Sequence, residues 1–312
     1  MHNRQGRRAL CLWLTGVIWV MGACAPAVSP APLTATPFAS SPSPLPSGTP
    51  VPPTPTGAAQ LTPTPDCLLR GGQVIPFSLP SAVIGKPLTG YLYLPPCFEP
   101  HAGQPYPLLI LLHGQSATAE QWLRVGAAET ADRLIAERVI PPLVIALPYE
   151  EYSLRNPFES GYDRALLDEF LPWLAGQYPG VCAERPCRAL GGLSRGGGMA
   201  LLIGFAHSGM FRAIGGHSAP PFYGMESRLP LWVKETSAES LPAVYLDVGE
   251  EDRYYRSIEE LHTLLERLGV PHEWQVNPGA HGEDYWRSQV ENYLRWYGNL
   301  ITLPAKINGT PE

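Results

Sequence analysis

The sequence predicts an α/β fold, with a mostly parallel sheet flanked by helices on both faces. Two observations carry this prediction. Short apolar runs, typical of strands that are buried on both faces, recur along the chain. Segments with helical spacing of apolar residues lie between those runs. Alternation of this kind is typical of parallel sheets, whose ligands gather at the carboxyl ends of the strands.

The predicted strands begin with two segments of alternating polarity. Gln73–Leu79 and Thr89–Leu94 predict an antiparallel hairpin at the start of the domain. The remaining predicted strands are apolar runs: Leu108–Leu112, Leu143–Leu147, Ala189–Leu193, Ala213–Gly216, Ala243–Val248 and Glu273–Val276. The chain shows no internal repeat, so we expect one domain over residues 67–303.

The predicted helices lie between these strands. They cover Ala127–Val139, Tyr162–Leu174, Met199–Ala206, Ile258–Leu268 and Tyr285–Leu300. In the second of them, apolar residues recur at four-residue spacing, and Pro172 predicts a kink. Ser257 and Glu260 predict a capping box at the start of the fourth.

The N-terminus predicts export. Arg4, Arg7 and Arg8 precede an uncharged, mostly apolar segment over residues 9–25. Within it, Cys24 follows Met-Gly-Ala, which resembles a bacterial lipoprotein signal over residues 1–23, cleaved before a lipidated Cys24. We therefore expect a lipid anchor on the outer face of the cell membrane. Plain secretion and an uncleaved membrane anchor are the alternatives, and all three place the domain outside the cytoplasm.

Residues 24–66 predict a disordered tether rich in Pro, Ser and Thr. Thirteen prolines lie between Ala25 and Asp66, and no charged residue occurs there before Asp66. Such a segment cannot bury enough apolar surface to offset chain entropy. We expect it to be extended and partly polyproline II. Residues 304–312 are expected to form a short C-terminal tail.

The cysteines fit an oxidising compartment. Beyond Cys11 and Cys24, an even number remains, and we predict the disulfides Cys67–Cys97 and Cys182–Cys187, because each joins residues that are near in the inferred layout. Metal binding is the weaker alternative, since no CxxC motif or histidine cluster accompanies them. No nucleotide-binding glycine motif or HExxH occurs, so no cofactor or metal is implied. A net charge of −6 without a basic face argues against a nucleic-acid partner.

Ser194 is the predicted nucleophile. It lies in Gly-Leu-Ser-Arg-Gly, directly after the run Ala189–Leu193 and before a helical segment, which is the strand–turn–helix context that a nucleophile elbow requires. The flanking glycines let strand and helix approach closely, and the helix N-terminus favours developing negative charge. A glycine-rich turn with an ordinary capping serine is the alternative.

A nucleophilic serine needs a base, and His281 is the predicted one. It follows the last predicted strand, so its loop should open at the carboxyl edge of the sheet. His217 also follows a strand and is the rival. His272 precedes a strand and His262 falls within a helix, so neither is favoured.

The predicted acid is Asp252, which lies beyond the end of the strand Ala243–Val248 where a loop could reach His281. Asp247, inside that strand, is the alternative, followed by Glu250 and Glu251. The predicted oxyanion donors are the backbone N–H groups of Arg195 and Gln115. The second prediction rests on His113-Gly114, although these residues could simply end a strand.

Taken as a set, these motifs resemble the esterase-D-like family of α/β-hydrolases, which includes feruloyl, acetylxylan and siderophore esterases and mycolyltransferases. The resemblance covers about residues 70–300 and implies the α/β-hydrolase fold and ester hydrolysis. Many relatives have Met after the nucleophile, where this chain has Arg195. We expect that substitution to place a cation near the mouth of the site.

We therefore expect a carboxylic-ester hydrolase that works through an acyl-enzyme on small-molecule or carbohydrate-linked esters. Transfer of the acyl group to a sugar or lipid alcohol is the first alternative, and a non-catalytic surface binding protein is the second. The residues expected to shape the pocket are His113, Trp122, Tyr149, Tyr152 and the segment Ser218–Leu241, with Phe222, Tyr223 and Trp232. Packing of these aromatic residues in the core is the alternative.

Overall fold

The central element of the computed structural model is an eight-stranded sheet. The structure describes residues 66–101, 105–151, 155–222 and 224–301. The predicted signal, the tether, Cys24, Tyr152, Tyr223 and the tail lie outside these ranges. The strands are β1 Gln73–Leu79, β2 Leu88–Leu94, β3 Leu108–Leu112, β4 Val144–Pro148, β5 Arg188–Leu193, β6 Ala213–His217, β7 Ala243–Gly249 and β8 His272–Asn277.

The strand order is β1-β2-β4-β3-β5-β6-β7-β8. β2 is antiparallel to both of its neighbours, and all other pairs are parallel. β3 to β6 are buried at every position, because helices cover both faces of the sheet. The predicted strands are confirmed, with bounds shifted by no more than one residue.

Helices complete both layers. They are α1 Asp66–Arg70, α2 Gln121–Arg124, α3 Ala127–Ala136, α4 Pro157–Ser160, α5 Tyr162–Arg164, α6 Leu171–Gln177, α7 Arg195–Ala206, α8 Met225–Glu235, α9 Tyr255–Arg267 and α10 Glu283–Leu300. The apolar residues of α6 to α9 pack on one face of the sheet. Those of α2, α3 and α10 pack on the other. Within the ranges described, no helix combines the length and apolarity needed to cross a bilayer.

The kink predicted at Pro172 takes the form of a wider turn. Residues Ala165–Phe170 are π-helical, and Pro172 lies in the first turn of α6. Proline has no N–H to donate to the carbonyl four residues earlier, and its ring crowds that carbonyl. The wider, π-helical turn lies just before Pro172, where the regular hydrogen-bond pattern of the α-helix is interrupted.

The predicted capping box is wrong. α9 begins at Tyr255, so Ser257 lies inside the first turn and donates to the carbonyl of Tyr254, 3.0 Å away. The carboxylate of Asp252 instead accepts the backbone N–H of Tyr254 at 2.8 Å. Ser-x-x-Glu was misleading here because Ser257 bonds back to a carbonyl rather than capping an N–H.

Two features tie distant segments to this frame. The disulfides Cys67–Cys97 and Cys182–Cys187 are both present, which are the predicted pairs.

Tyr297 of α10 is fully buried, and its hydroxyl fills the space that a Cβ atom would need at Gly191 in β5 or Gly215 in β6. That hydroxyl also lies 3.1 Å from His217 Nε2. Glycine at these two positions therefore lets α10 dock on the centre of the sheet.

Candidate active site

Ser194, His281 and Asp252 meet at the carboxyl edge of the sheet. Ser194 follows β5, Asp252 follows β7 and His281 follows β8. The Oγ atom of Ser194 is 2.8 Å from Nε2 of His281. The Nδ1 atom of His281 is 2.9 Å from Oδ2 of Asp252. The residues that the sequence nominates therefore form one continuous hydrogen-bonded chain.

Ser194 occupies a strained turn between β5 and α7. Its φ is 53° and its ψ is −125°, which is rare for a residue with a side chain. Its N–H donates to the carbonyl of His217 at 2.8 Å, and its carbonyl accepts the N–H of Gly198 at 3.0 Å. A Cβ at Gly196 would lie against the carbonyl oxygens of Leu112 and His113. Glycine there lets α7 start directly over β3 and hold the serine at the sheet edge.

Asp252 is buried, yet its pKa is lowered. Burial alone would raise the pKa, but hydrogen bonds from His281 and from the backbone N–H of Tyr254 outweigh it. An ionised Asp252 fixes a proton on Nδ1 of His281 and leaves Nε2 to face Ser194. The rings of Tyr254 and Trp286 meet that imidazole edge-on, with centroids 4.9 and 5.2 Å away.

The two rival residues, Asp247 and His217, pair with each other. They are register partners on β7 and β6, and His217 Nδ1 lies 2.8 Å from Asp247 Oδ1. The other oxygen of Asp247 accepts the hydroxyls of Tyr285 at 2.6 Å and Tyr293 at 2.7 Å. Both members of the pair are fully buried. This second His–Asp pair therefore lies in the core and does not contact Ser194 through a side chain.

Hydrogen bonds from side chains of α2 and α10 hold the loop after β3 in place. The N–H of Gly114 is engaged, because it donates to Oε1 of Gln121 at 2.8 Å. Gln121 Nε2 lies 3.3 Å from Glu283 Oε1, and Arg124 pairs with the same carboxylate at 2.6 Å. Gln115 follows at the wall of the cavity that contains Ser194. The loop is thereby linked to the start of α10, two residues after His281.

That cavity has a volume of about 530 Å³. Besides Ser194 and His281, its lining residues are Gly114, Gln115, Ser116, Gln121, Phe222, Arg253, Tyr254, Gly282, Glu283 and Trp286. Phe222 belongs to the predicted pocket segment, whereas Tyr254 and Trp286 were missed. The signal for these two was their position, two residues after Asp252 and five after His281.

Four of the residues predicted to shape the pocket lie elsewhere. Trp122 is fully buried, and its indole N–H donates to the carbonyl of Leu112 at 3.0 Å. Trp232 packs against the core and meets Phe158 edge-on at 6.3 Å. Tyr149 stacks on His113 at 5.4 Å and lines a neighbouring groove with Tyr91 and Glu120. The alternative of core packing applies to the two tryptophans.

The fourth residue, His113, is a buried link between two loops. Its Nε2 accepts the backbone N–H of Glu150 at 2.9 Å, and its Nδ1 lies 2.9 Å from the carbonyl of Gly114. Burial lowers the pKa of His113, with a smaller contribution from the nearby Arg195, against an opposing hydrogen bond that the ring donates to the carbonyl of Gly114. The lowered pKa favours the neutral ring, with Nδ1 as the donor.

The side chain of Arg195 does not reach the mouth of the site. It is buried, with Nη1 2.8 Å from Oε2 of Glu150 and Nη2 3.2 Å from the carbonyl of Arg155. The expected cation near the mouth is wrong for this residue, because α7 directs its first side chain into the protein. A different cation, Arg253, lines the cavity. In the described ranges, no three His, Cys, Asp or Glu side chains converge as a metal site requires.

The chain is similar in sequence and fold to known proteins. Residues 81–297 match the family model named Esterase. A ferulic acid esterase structure is 27% identical, with a TM-score of 0.66, and the match covers 74% of this chain and 99% of that one. The Staphylococcus aureus fluorophosphonate-binding serine hydrolase F is 20% identical, with a TM-score of 0.62. The match covers 73% of this chain and 99% of that one.

A feruloyl esterase module from Clostridium thermocellum, complexed with sinapinate, is also similar. It is 17% identical, with a TM-score of 0.63 and coverage of 80% of this chain and 97% of that chain. At 17% identity, this similarity is evidence for the fold alone. All three comparisons agree with a mostly parallel α/β sheet of the α/β-hydrolase type.

Proposed function

Since the chain belongs to the Esterase family, we propose that it hydrolyses carboxylic esters outside the cytoplasm through an acyl-enzyme on Ser194. The observation that carries this proposal is the hydrogen-bonded chain from Ser194 through His281 to Asp252, with distances of 2.8 and 2.9 Å. A serine hydroxyl is a weak nucleophile unless an adjacent base takes its proton, and the base works only when a third group orients it.

In the proposed reaction, Oγ of Ser194 attacks the ester carbonyl while Nε2 of His281 takes the hydroxyl proton. Asp252 stabilises the resulting imidazolium and holds its ring in place. The tetrahedral intermediate collapses and expels the alcohol, which receives the proton from His281. Water then attacks the acyl-enzyme with His281 as base, and collapse of the second intermediate releases the acid and restores Ser194.

The negative charge on the intermediate needs two fixed donors, and we assign them to the N–H groups of Arg195 and Gln115. Arg195 is the first residue of α7, so its N–H lies at the helix N-terminus, where the helix dipole favours negative charge. Gln115 lines the cavity, and the neighbouring Gly114 N–H is already engaged by Gln121. Such donors act through preorganisation, because they need not move as charge develops.

We propose an ester with an aromatic or sugar moiety as the substrate. Phe222, Tyr254 and Trp286 give the cavity three aromatic walls, and aromatic rings stack on apolar or planar groups. The similar proteins include ferulic acid esterases and a module complexed with sinapinate. Feruloyl and acetyl esters are therefore the first compounds to assay. Product analysis with added sugar or lipid alcohols separates hydrolysis from acyl transfer.

The test is Ser194→Ala, assayed for ester hydrolysis and for labelling by a fluorophosphonate probe. We expect loss of labelling and a fall in kcat of about 10⁶-fold, as for serine knockouts in a well-studied hydrolase, with an unchanged melting temperature. Ser227→Ala, an exposed serine on α8, is the matched control and should behave as wild type. Retention of more than a few per cent of kcat by Ser194→Ala, with contamination excluded, contradicts the proposal.

We further propose that the mature protein is anchored to the outer face of the cell membrane through a lipid on Cys24. The support is the sequence around Cys24, together with the two disulfides, which suit an oxidising compartment. Metabolic labelling with palmitate, followed by fractionation, should find label in the membrane-bound wild type and none in Cys24→Ser. An unlabelled soluble protein would indicate plain secretion, and an unlabelled full-length membrane protein an uncleaved anchor.

A further inference from the structure

Arg253 is a cation in the wall of the cavity, directly after the proposed acid Asp252. Its side chain is exposed, and its guanidinium carbon lies 4.9 Å from the centroid of the Tyr254 ring. Stacking on an aromatic face orients a guanidinium while leaving its charge in place. The N–H donors on its edges therefore stay accessible to a ligand.

The charge of Arg253 is not balanced from within the cavity. Among the residues that the structure describes, Arg253 takes part in no ion pair. The carboxylate of Glu283 also lines the cavity, but Arg124 binds it at 2.6 Å, and the pKa of Glu283 is lowered chiefly by that hydrogen bond. A chain with a formal net charge of −6 thus presents, in the cavity that contains Ser194, a positive group with no ion-pair partner among the described residues.

The position of Arg253 indicates which half of an ester it meets. In the proposed reaction, His281 hands its proton to the leaving alcohol, so the alcohol lies on the side of that imidazole. The ring of Tyr254 contacts the imidazole edge-on at 4.9 Å, and Arg253 stacks on the same tyrosine ring. Arg253 is therefore on the alcohol side of the cavity.

We propose that Arg253 recognises a carboxylate on the alcohol part of the ester, so that the preferred substrates are esters of hydroxy acids or of acidic sugars. A planar guanidinium suits a carboxylate because it can donate two parallel hydrogen bonds. This inference rests on the proposed esterase function and adds a substrate class to it. Arg253 acts here as a specificity residue, since the proposed contact is with the alcohol part of the ester and not with the carbonyl under attack.

The experiment uses two acetate esters of similar size whose leaving groups differ in charge: 4-acetoxybenzoate and 4-acetoxybenzamide. The benzamide serves as the internal control, because damage to the neighbouring Asp252 would slow both esters alike. Wild type, Arg253→Gln and Arg253→Glu are compared with Arg256→Gln, an exposed arginine of α9 that does not line the cavity. The measured quantity is the ratio of kcat/KM for the benzoate to kcat/KM for the benzamide.

We expect Arg253→Gln to lower this ratio about 3- to 10-fold, mainly through KM for the benzoate, because a partly exposed ion pair contributes modestly. Arg253→Glu should lower it further, Arg256→Gln should leave it unchanged, and added salt should reduce the wild-type ratio. An equal ratio in wild type and Arg253→Gln overturns the inference. Failure of the proposed function is distinct: wild type would then hydrolyse neither ester in a manner that depends on Ser194.

Discussion

The carboxylate of Glu150 lies 2.8 Å from the guanidinium of Arg195, and both side chains are buried. The backbone N–H of Glu150 also donates to Nε2 of His113, whose other ring nitrogen lies 2.9 Å from the carbonyl of Gly114. One buried ion pair therefore connects the residue after Ser194 to the loop after β3. These are the two places from which the proposed oxyanion donors come.

Breaking this pair should be costly. In Glu150→Gln, the buried Arg195 loses this ion pair, and we expect a loss of about 3–5 kcal/mol in the free energy of unfolding, measured by urea denaturation. Replacing both residues with Met should recover much of that loss, because neither buried charge then remains. If Glu150→Gln unfolds at the wild-type urea concentration, the pair does not stabilise the fold.

Substitution of Asp252, which follows β7, and of Asp247, which lies within β7, should have different effects on catalysis and on stability. Asp252→Asn keeps the shape of the side chain but no longer favours the proton on Nδ1 of His281, so kcat should fall about 10⁴-fold with little change in the thermal melt. Asp247→Asn replaces a buried carboxyl group that is hydrogen-bonded to His217 and two tyrosine hydroxyls and should lower the melting temperature. A larger catalytic loss in Asp247→Asn, at an unchanged melt, would reverse the assignment.

His113 should make stability depend on pH. Burial lowers its pKa in the folded state, whereas the unfolded chain gains a proton near pH 6.5. Its contribution is thus fully present above about pH 6.5. Below that it falls by about 1.4 kcal/mol per pH unit until the folded pKa is reached. His113→Gln should be less stable than wild type at pH 8, and the difference should narrow at pH 5.5.

Urea midpoints at the two pH values measure this effect. His101→Gln, at an exposed position, is the control and should track wild type at both. If His113→Gln lies below wild type by the same amount at pH 5.5 as at pH 8, the folded and unfolded states bind the same number of protons at this site.

The domain should work without the N-terminal 66 residues. Every described residue that lines the cavity lies between Gly114 and Trp286, and Cys67–Cys97 ties the first residues of the domain to the segment after β2. A chain that begins at Cys67 should therefore fold, form both disulfides and hydrolyse esters with the kcat of the full-length protein. An inactive or insoluble product, beside an active full-length protein, would place the boundary elsewhere.

The convergence of Ser194, Asp252 and His281 was predictable because each follows a predicted strand, and parallel strands bring their carboxyl ends to one edge. The direction of the Arg195 side chain was not predictable, since it depends on a buried partner, Glu150, which is 45 residues away in the sequence. The helix α8 was also missed, because Pro230 inside it reads as a breaker. Local patterns identified the strands and their loops, while tertiary packing decided which aromatic rings face the cavity.

The contacts of Tyr297 make the nucleophile turn depend on a helix that contributes no member of the catalytic chain. Ser194, Asp252 and His281 all precede α10 in the sequence. Without the Tyr297 hydroxyl, the space between Gly191 and Gly215 would be empty and Nε2 of His217 would lack its hydroxyl partner. His217 carries the carbonyl that accepts the N–H of Ser194, so a side chain near the end of α10 supports the turn from which the nucleophile projects.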